Sequence, residues 1–509
     1  MAGACGPTHC GDGAGSVDMS LHGGLARRSV GAGGLWFYAV SASAPMTVLA
    51  AGIVTTFSAS GVTGVPLSYL LLTVGLWLLT TGYVAMNRRL GHAAPFFGLL
   101  AHGLGRAWGV AGGLLALVGY NAVQVALYGF LGATLAAELG GVWWVWAGVL
   151  CLAIAVLGVL RVDIGAGVLA TLLVAEFVVI VVFDIAAFAG PAGGSIPLEP
   201  LAPGQLFTGD VGAVFALGIA GFLGYESGQA YSEEARSDRA VGRATFAALL
   251  VLGPFYCVSA WAMVSAAGTD RIQQAASADP NLPFTVLEES LGAFGALVAG
   301  VGQVLLFTSV FAAMLSFHAT VARYLYGLAR EGLLPQALTR TGTGSRSRRD
   351  APVGGSVVQT LIAAVAVAVF ALAGARPVET MFTWLAALAA FAVFALLVGS
   401  SLAAVLWFRR GGGGNEGVWT RRIAPVAGIA AGLAVLGVMT VRMQALLGVG
   451  SGSLATTLAI PVLVFVFAVA GLCWAGLVRA YRPQLYEGIG HGRPHPLALP
   501  DQRLSEVRL

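Results

Sequence analysis

What most limits this fold is a succession of long runs almost free of charge. About 20 apolar residues cross the roughly 30 Å hydrocarbon layer of a bilayer. Twelve such runs follow one another, at about 35–58, 65–86, 108–138, 142–160, 164–188, 211–232, 244–267, 292–323, 355–374, 378–408, 423–447 and 453–479. The third, eighth and tenth are long enough to tilt or to extend past the bilayer. Only 10% of the 509 residues are charged and 58% are hydrophobic, where a soluble domain carries about 25% charge. A soluble enzyme is excluded, and the chain reads as an all-α integral membrane protein.

The basic residues orient it. All 27 are arginine, and 24 of them fall on one side of the expected spans, leaving Arg271, Arg376 and Arg442 on the other. Arginine and lysine accumulate in cytoplasmic loops, so both termini are expected in the cytoplasm, in agreement with an even number of spans. The expected layout is a disordered cytoplasmic tail at 1–34, a transmembrane domain at 35–479 and a cytoplasmic tail at 480–509. Cys151, Cys257 and Cys473 sit in apolar runs and read as packing residues; Cys5, Cys10, His9 and His22 match no strong zinc spacing. No metal, cofactor or nucleic acid is expected. The oligomeric state is not legible.

One run departs from a plain span. Val211 to Glu234 carries Gly218, Gly221 and Gly224, then Glu226, Ser227 and Gln229. Glycine weakens a helix by about 1 kcal/mol relative to alanine. Backbone freed inside a membrane is tolerated where it lines a cavity, and broken spans hold substrate in secondary transporters. Small residues at this spacing also make close-packing faces; both readings stand. Span one has its own disturbance, Ser41 to Thr47, around Pro45, which lacks an N–H. Spans one and six are the first members of two five-span sets, and interrupted helices at matching places in two repeats point to a transporter site. A kinked but continuous span one is the alternative.

Polar residues within the runs supply further candidates. Asn121 and Gln124 share a face of span three with Tyr128, as a cavity wall or as interhelical hydrogen bonds. Glu176 is an acid with long apolar runs on both sides. Placing an acid there costs about 2.5–3.5 kcal/mol, and intramembrane acids are functional by default; a structural acid paired to a neighbour is the alternative. Asp184, two turns on, is expected at the interface. Thr308 and Ser309 in span eight offer a cation site, or simply bond back to their own helix. His92 and His102 are expected to be solvated or interfacial, with APFFGLLAHGLG as a short amphipathic piece. Residues 189–210 and 268–291 are expected to cover an outer vestibule.

Three stretches carry a resemblance. GFLGYESGQAYSEEARSDRAVGRAT, RYLYGLAREGLLPQAL and AAPFFGLLAHGLGRAWG are similar to motifs of the amino acid–polyamine–organocation (APC) superfamily of permeases. The resemblance implies about 12 transmembrane helices as a five-plus-five inverted repeat, spans 1–5 at about 35–188 and spans 6–10 at about 211–408, with two additional C-terminal helices at about 423–479. It implies a small amine-bearing solute between spans one and six. The solute's carboxylate would meet Ser43, Ala44, Pro45, Met46 and Thr47; its amine would meet Ala220, Gly221, Phe222 and Gly224, with Phe222 as an aromatic gate and Glu226 as the acid after the break. The family usually has Gly-x-Gly in span one, which is absent here. Many members have a lysine in span five standing in for a sodium ion; the similar position here is Glu176. The expected function is a secondary active transporter importing an amino acid across the cell membrane by alternating access, coupled to H+ or Na+ through Glu176 or a cation site at Thr308 and Ser309. The alternative is an amine or polyamine carrier. A channel would show a repeated filter sequence and a membrane-embedded enzyme a nucleophile, metal or cofactor motif; the sequence has neither.

Overall fold

The structure is a computed structural model and describes residues 25, 30–160, 166–342, 352–412, 414–449 and 454–492. Most of the N-terminal tail, with its cysteines and histidines, and the end of the C-terminal tail lie outside the described residues; the last part of the tail expected at 1–34 is ordered, with Val30 bridged to Ala235 and a helix starting at Ala32.

Among the described residues, eleven helices are long and apolar enough to cross a membrane: Ala32–Ser60, Val65–Leu90, Arg106–Leu139, Ala170–Ala189, Val211–Tyr231, Ala240–Ala267, Leu282–Arg330, Val353–Leu372, Pro377–Arg409, Trp419–Val441 and Leu454–Tyr481. Trp143–Leu160 is shorter and wholly apolar, and at about 1.5 Å per residue it still covers most of the hydrocarbon. These are spans one to twelve in chain order, with span four the short one; the helix containing span five starts at Ala166.

Spans one and six are both interrupted, each after a first helix of 12 residues, Ala32–Ser43 and Val211–Phe222. In span one the break is at Ala44, the one non-glycine residue with positive φ (46°) among the described residues. A left-handed L-residue costs about 1–2 kcal/mol; Pro45 disfavours a right-handed helical residue before itself, so the first helix cannot run on through Ala44. The Ala44 N–H turns back to the Ser41 carbonyl at 3.2 Å; the chain then runs through Pro45–Thr47 into a widened turn, Val48–Ile53. A continuous span one is therefore ruled out.

In span six, Asp210 caps the helix by accepting from the Ala213 N–H at 3.1 Å. The helix stops at Phe222, Gly224 takes φ 108°, and Ser227–Tyr231 continues as a tighter helix. The glycine run thus divides between its two readings. Gly224 makes the break. Gly218 and Gly221 stay helical and serve packing: a Cβ would stand 2.7 Å from Leu72 Cδ1 at Gly218 and 3.3 Å from Val48 Cγ1 at Gly221. Close approach of small residues is what holds helices together in lipid. It recurs at Gly428 of span eleven, where a Cβ would meet the Leu79 backbone N of span two at 2.6 Å.

Three local expectations are corrected, and one loop proves structured. Pro95–Gly103 is a buried helix packed against spans three and ten, not an interfacial piece. Its hydrophobic side chains are covered because Gly109 and Gly103 let those spans close on it. His92 is 2% exposed, drawn inward by a partner 239 residues away. Residues 268–291 are largely helical: Ile272–Ala278 is followed by Leu282, where the span-eight helix already begins and kinks at Gly292. Asp184 is buried at 6% exposure rather than interfacial, because a span-seven hydroxyl reaches it.

Candidate functional site

The two breaks meet. A Cβ on Gly224 would stand 2.7 Å from the Ala42 carbonyl carbon, so only glycine lets the interrupted backbones of spans one and six lie side by side at one depth. Helix ends leave backbone groups without partners, and the sequence supplies some. Glu226 folds back so that Oε2 accepts from the Gly224 N–H at 3.1 Å, while Oε1 accepts from the Tyr120 hydroxyl of span three at 3.1 Å. The acid is 1% exposed. Tyr120 is held by Tyr324 and Phe317 of span eight, at ring separations of 5.7 and 6.1 Å, and Tyr225 is tied to Thr80 of span two at 2.8 Å. The carbonyls of Ala220, Phe222 and Gly224 each accept a turn N–H, from Leu223, Tyr225 and Ser227; a carbonyl has a second lone pair for another donor. Phe222 is buried against Tyr69 and Tyr256 at 6.1 and 5.6 Å.

On the other side of the span-one break, Glu176 of span five is 3% exposed. Its Oε2 accepts from the Ser309 hydroxyl of span eight at 2.8 Å, and the Pro45–Thr47 segment of the span-one break packs on both of these helices. The acid thereby joins spans five and eight beside the break in span one. Thr308, beside Ser309, bonds back to the Leu305 carbonyl at 3.0 Å. Ser43 bonds to Ala39 at 3.3 Å, and the buried Thr47 hydroxyl has no partner. Asn121 donates to Leu117 in its own helix at 2.8 Å, with its buried oxygen unpaired. Gln124 belongs to a separate polar cluster, with Gln359 of span nine at 2.6 Å, Tyr128 at 3.2 Å and His318 at 3.4 Å; His318 in turn meets Ser356 at 2.7 Å. The structure thus gathers the span-one residues, Glu176 and Ser309 on one side of the breaks and the span-six residues with Glu226 on the other; Gln124 stands apart. Among the described residues no group of three or more His, Cys, Asp or Glu could hold a metal ion.

The approach from the arginine-rich face is closed, and little space remains at the breaks. Beside Glu226 a cavity of about 10 Å³ remains, lined by Leu76, Phe222, Tyr225, Val393 and Phe394 among others; that is room for at most one water. Toward the arginine-rich face, Arg323 pairs with Glu234 and lies over Tyr231 at 3.8 Å, and Tyr231 stacks on Tyr38 of span one at 4.9 Å. Val30 and Ala235 form a backbone bridge. Arg330 grips Glu233 through two bonds of 2.7 and 2.6 Å. Asn87 and Thr245 hold Gln229 between them, both at 2.7 Å. His92 accepts the Ala94 N–H at Nδ1 and so donates from Nε2 to Glu331 at 2.8 Å. Glu331 also accepts from the N–H groups of Gly490 and Gly492, both at 2.6 Å. Burial alone would raise the Glu331 carboxyl, but His92 and these two amides hold it below its ordinary value; Glu233, only partly buried, is likewise held low by Arg330.

At the opposite face a depression of about 260 Å³ opens among Gly61, Thr63, Glu199, Gln205, Asp270 and Gln273. A larger hollow of about 550 Å³, lined by Ala133, Trp143, Ala371 and Pro377, has no charged side chain and lies away from the breaks.

Sequence reasoning did not assign the tyrosines around Glu226 or the Arg323–Glu234 and His92–Glu331 pairs. Tyr120 adjoins Asn121, and Glu331 sits in the Arg-Glu-Gly motif after span eight; only the partner positions were missing.

Among solved structures the chain is similar to a mutant of the Eremococcus coleocola manganese transporter, at 14% identity over 90% of this chain and 97% of that one, with a TM-score of 0.51. A second mutant of that transporter matches at 14% identity over 86% and 93%, with a TM-score of 0.48. The first likeness shows the fold, a five-plus-five inverted repeat of helices with two more at the C-terminus. No curated protein matches the sequence. The amino acid permease family matches residues 34–470. With its paired breaks and that match over most of its length, this chain belongs to the amino acid permease family, within the APC superfamily, and is a secondary transporter rather than an enzyme.

Proposed function

We propose that this permease imports an amino acid by alternating access, driven by protons through Glu176, with its arginine-rich face and both termini in the cytoplasm. The observation that carries this is the Glu176–Ser309 hydrogen bond, formed where spans five and eight pack on the Pro45–Thr47 segment of the span-one break and so close to the Met46 amide. The Met46 amide belongs to the span-one break, where a substrate carboxylate would be received. An ionised Glu176 competes for that amide; a protonated one competes weakly. Protonation and substrate binding therefore favour each other, and a carrier with that linkage can use a pH gradient. A hydrogen bond to a charged group is worth about 1.5–3 kcal/mol, so the linkage is about ten- to a hundredfold in affinity. The substrate amine lies toward Ala220, Gly221, Phe222 and Gly224, with Glu226 as its counter-charge and Phe222 above it. Reorientation breaks the Arg323–Glu234 and Arg330–Glu233 pairs and opens the arginine-rich side.

The buried acid at Glu226 also suits a substrate with no carboxylate, which is the second reading: an amine or polyamine carrier. Uptake of a panel of labelled amino acids and amines into proteoliposomes, with pH or sodium gradients imposed separately, tests both. Amino acid accumulation under a pH gradient, lost in Glu176→Gln with exchange retained, is the expected result. Accumulation driven by sodium alone would move the coupling to Thr308 and Ser309, and uptake of amines alone would favour the second reading.

A further inference from the structure

Asp184 has no role in the scheme above, yet it is a buried acid in the membrane. Its Oδ2 accepts from the Ser259 hydroxyl of span seven at 3.2 Å; its Oδ1 is buried without a partner. Among the described residues no cation pairs with it. If joining spans five and seven were its only task, an asparagine would bond Ser259 equally well without an acid's burial cost.

A second orphan lies nearby. Tyr256 is on span seven, one turn from Ser259 and so on the same face. It is 1% exposed and its hydroxyl has no partner, and its neighbour Phe255 packs at 4.6 Å on Phe177, the residue after Glu176. Buried polar atoms without protein partners are the places where water is expected. Asp184 stands five residues before the end of its helix at Ala189, about 7–8 Å from the arginine-poor face, and Glu176 lies about 12 Å deeper. From that face inward the order is Asp184, Ser259, Tyr256, Glu176.

We propose that Asp184 is the entry station of a proton path from the arginine-poor face to Glu176, continued by the Ser259 and Tyr256 hydroxyls with intervening water. A proton from outside water neutralises the Asp184 carboxylate. Each hydroxyl then accepts one proton and releases another. Glu176 receives the last, and Asp184 is left ionised again; no other bond changes. Few other groups face this line. Span seven presents Tyr256 and Cys257, its Arg243 standing exposed at the far end; span two places Tyr69 5.5 Å from the Tyr256 ring; span one offers only Tyr38, in its first helix; span eight carries Glu288 and Glu289 at exposed positions near the arginine-poor face, where Glu199, Asp270 and Arg271 are also exposed, with His318, Arg323 and Arg330 toward the other. The proposal rests on Glu176 being the coupling acid.

A relay changes rates and leaves equilibria alone, which separates it from both coupling and packing. The test uses purified full-length protein in vesicles containing a pH-sensitive dye. After an acid jump on the arginine-poor side, substrate-dependent proton entry should slow about tenfold in Asp184→Asn and be restored in Asp184→Glu. Equilibrium substrate affinity and its pH dependence should match wild type. Tyr256→Phe removes only a hydroxyl that bonds nothing, and should slow entry similarly, which covers the case of Asp184→Asn folding poorly. Proton entry within twofold of wild type in both variants overturns the path. If the same variants are fast while Glu176→Gln loses the pH dependence of binding, the path fails and the coupling reading stands. If Glu176→Gln keeps that pH dependence, both fail.

Discussion

The Arg323 guanidinium holds Glu234 through Nε to Oε1 at 2.6 Å and Nη2 to Oε2 at 3.2 Å, and so fastens span eight to the end of span six. Both side chains are buried. Removing one partner of a buried pair typically costs about 3–5 kcal/mol. Glu234→Gln should therefore lower thermal stability in detergent and shift the protein toward opening on the arginine-rich side. The direct readout is a cysteine in place of Ser41, 5% exposed in the first half of span one. Its reaction with a soluble thiol reagent should rise about tenfold when Glu234→Gln is added; an unchanged rate would separate the pair from the gate.

The breaks predict a contrast between two glycines three residues apart. Gly224→Ala combines φ 108° with a 2.7 Å approach to Ala42, so strain of about 1–2 kcal/mol adds to a backbone clash, and transport should be lost. Gly221→Ala meets Val48 at 3.3 Å, and a small shift of that side chain absorbs it; uptake should stay within a few-fold of wild type. Gly221→Leu should abolish binding. Equal loss from both alanine variants would argue that the helical part of span six is as constrained as the break.

Orientation has a simple check. Arg236 and Arg409 are exposed on one face and Thr208 on the other. Cysteines at the two arginine positions should escape an impermeant reagent in intact cells and react after permeabilisation, while Thr208→Cys reacts in both. The reverse pattern would invert the proposed topology.

Glu331 gives a pH dependence with a definite sign. Its carboxyl is held below its ordinary value, so it stabilises the protein at any pH above its unfolded pKa of about 4.3. That contribution disappears as pH falls from there through the lower folded value. Melting temperature should be flat from about pH 7 to 5 on this account and drop below. Glu331→Gln, which turns an amide toward two N–H donors, should melt lower at neutral pH and lose the acid-side drop. An identical pH profile in the variant would mean other acids dominate it.

Much of this architecture could be read from the chain because its causes are local. Hydrophobic runs fix spans whatever surrounds them, and Pro45 and Gly224 break helices through their own backbone chemistry. What escaped was the choice of partner across long separations. Glu226 was found as an acid beyond a break, but its donor Tyr120 is 106 residues away. Glu176 was singled out by its apolar flanks, yet nothing in them points to Ser309, 133 residues on. His92, next to a glycine between two spans, resembles a solvated loop residue until Glu331 is brought beside it. Asp184 looked interfacial for the same reason: nearness to a helix end is legible, whereas the neighbouring helix that covers it is not.

The contacts of Glu331 with Gly490 and Gly492 bear on the order in which the protein is made. The acid is synthesised 159 and 161 residues before the amides that satisfy it. Four further spans must be inserted in between. Until then His92 is its available partner, and the junction between spans two, three and eight waits with part of an acid uncovered. Closing that junction thus waits until nearly the whole chain has been made, and a chain that stopped short of residue 490 would leave the Glu331 carboxylate without two of its three donors.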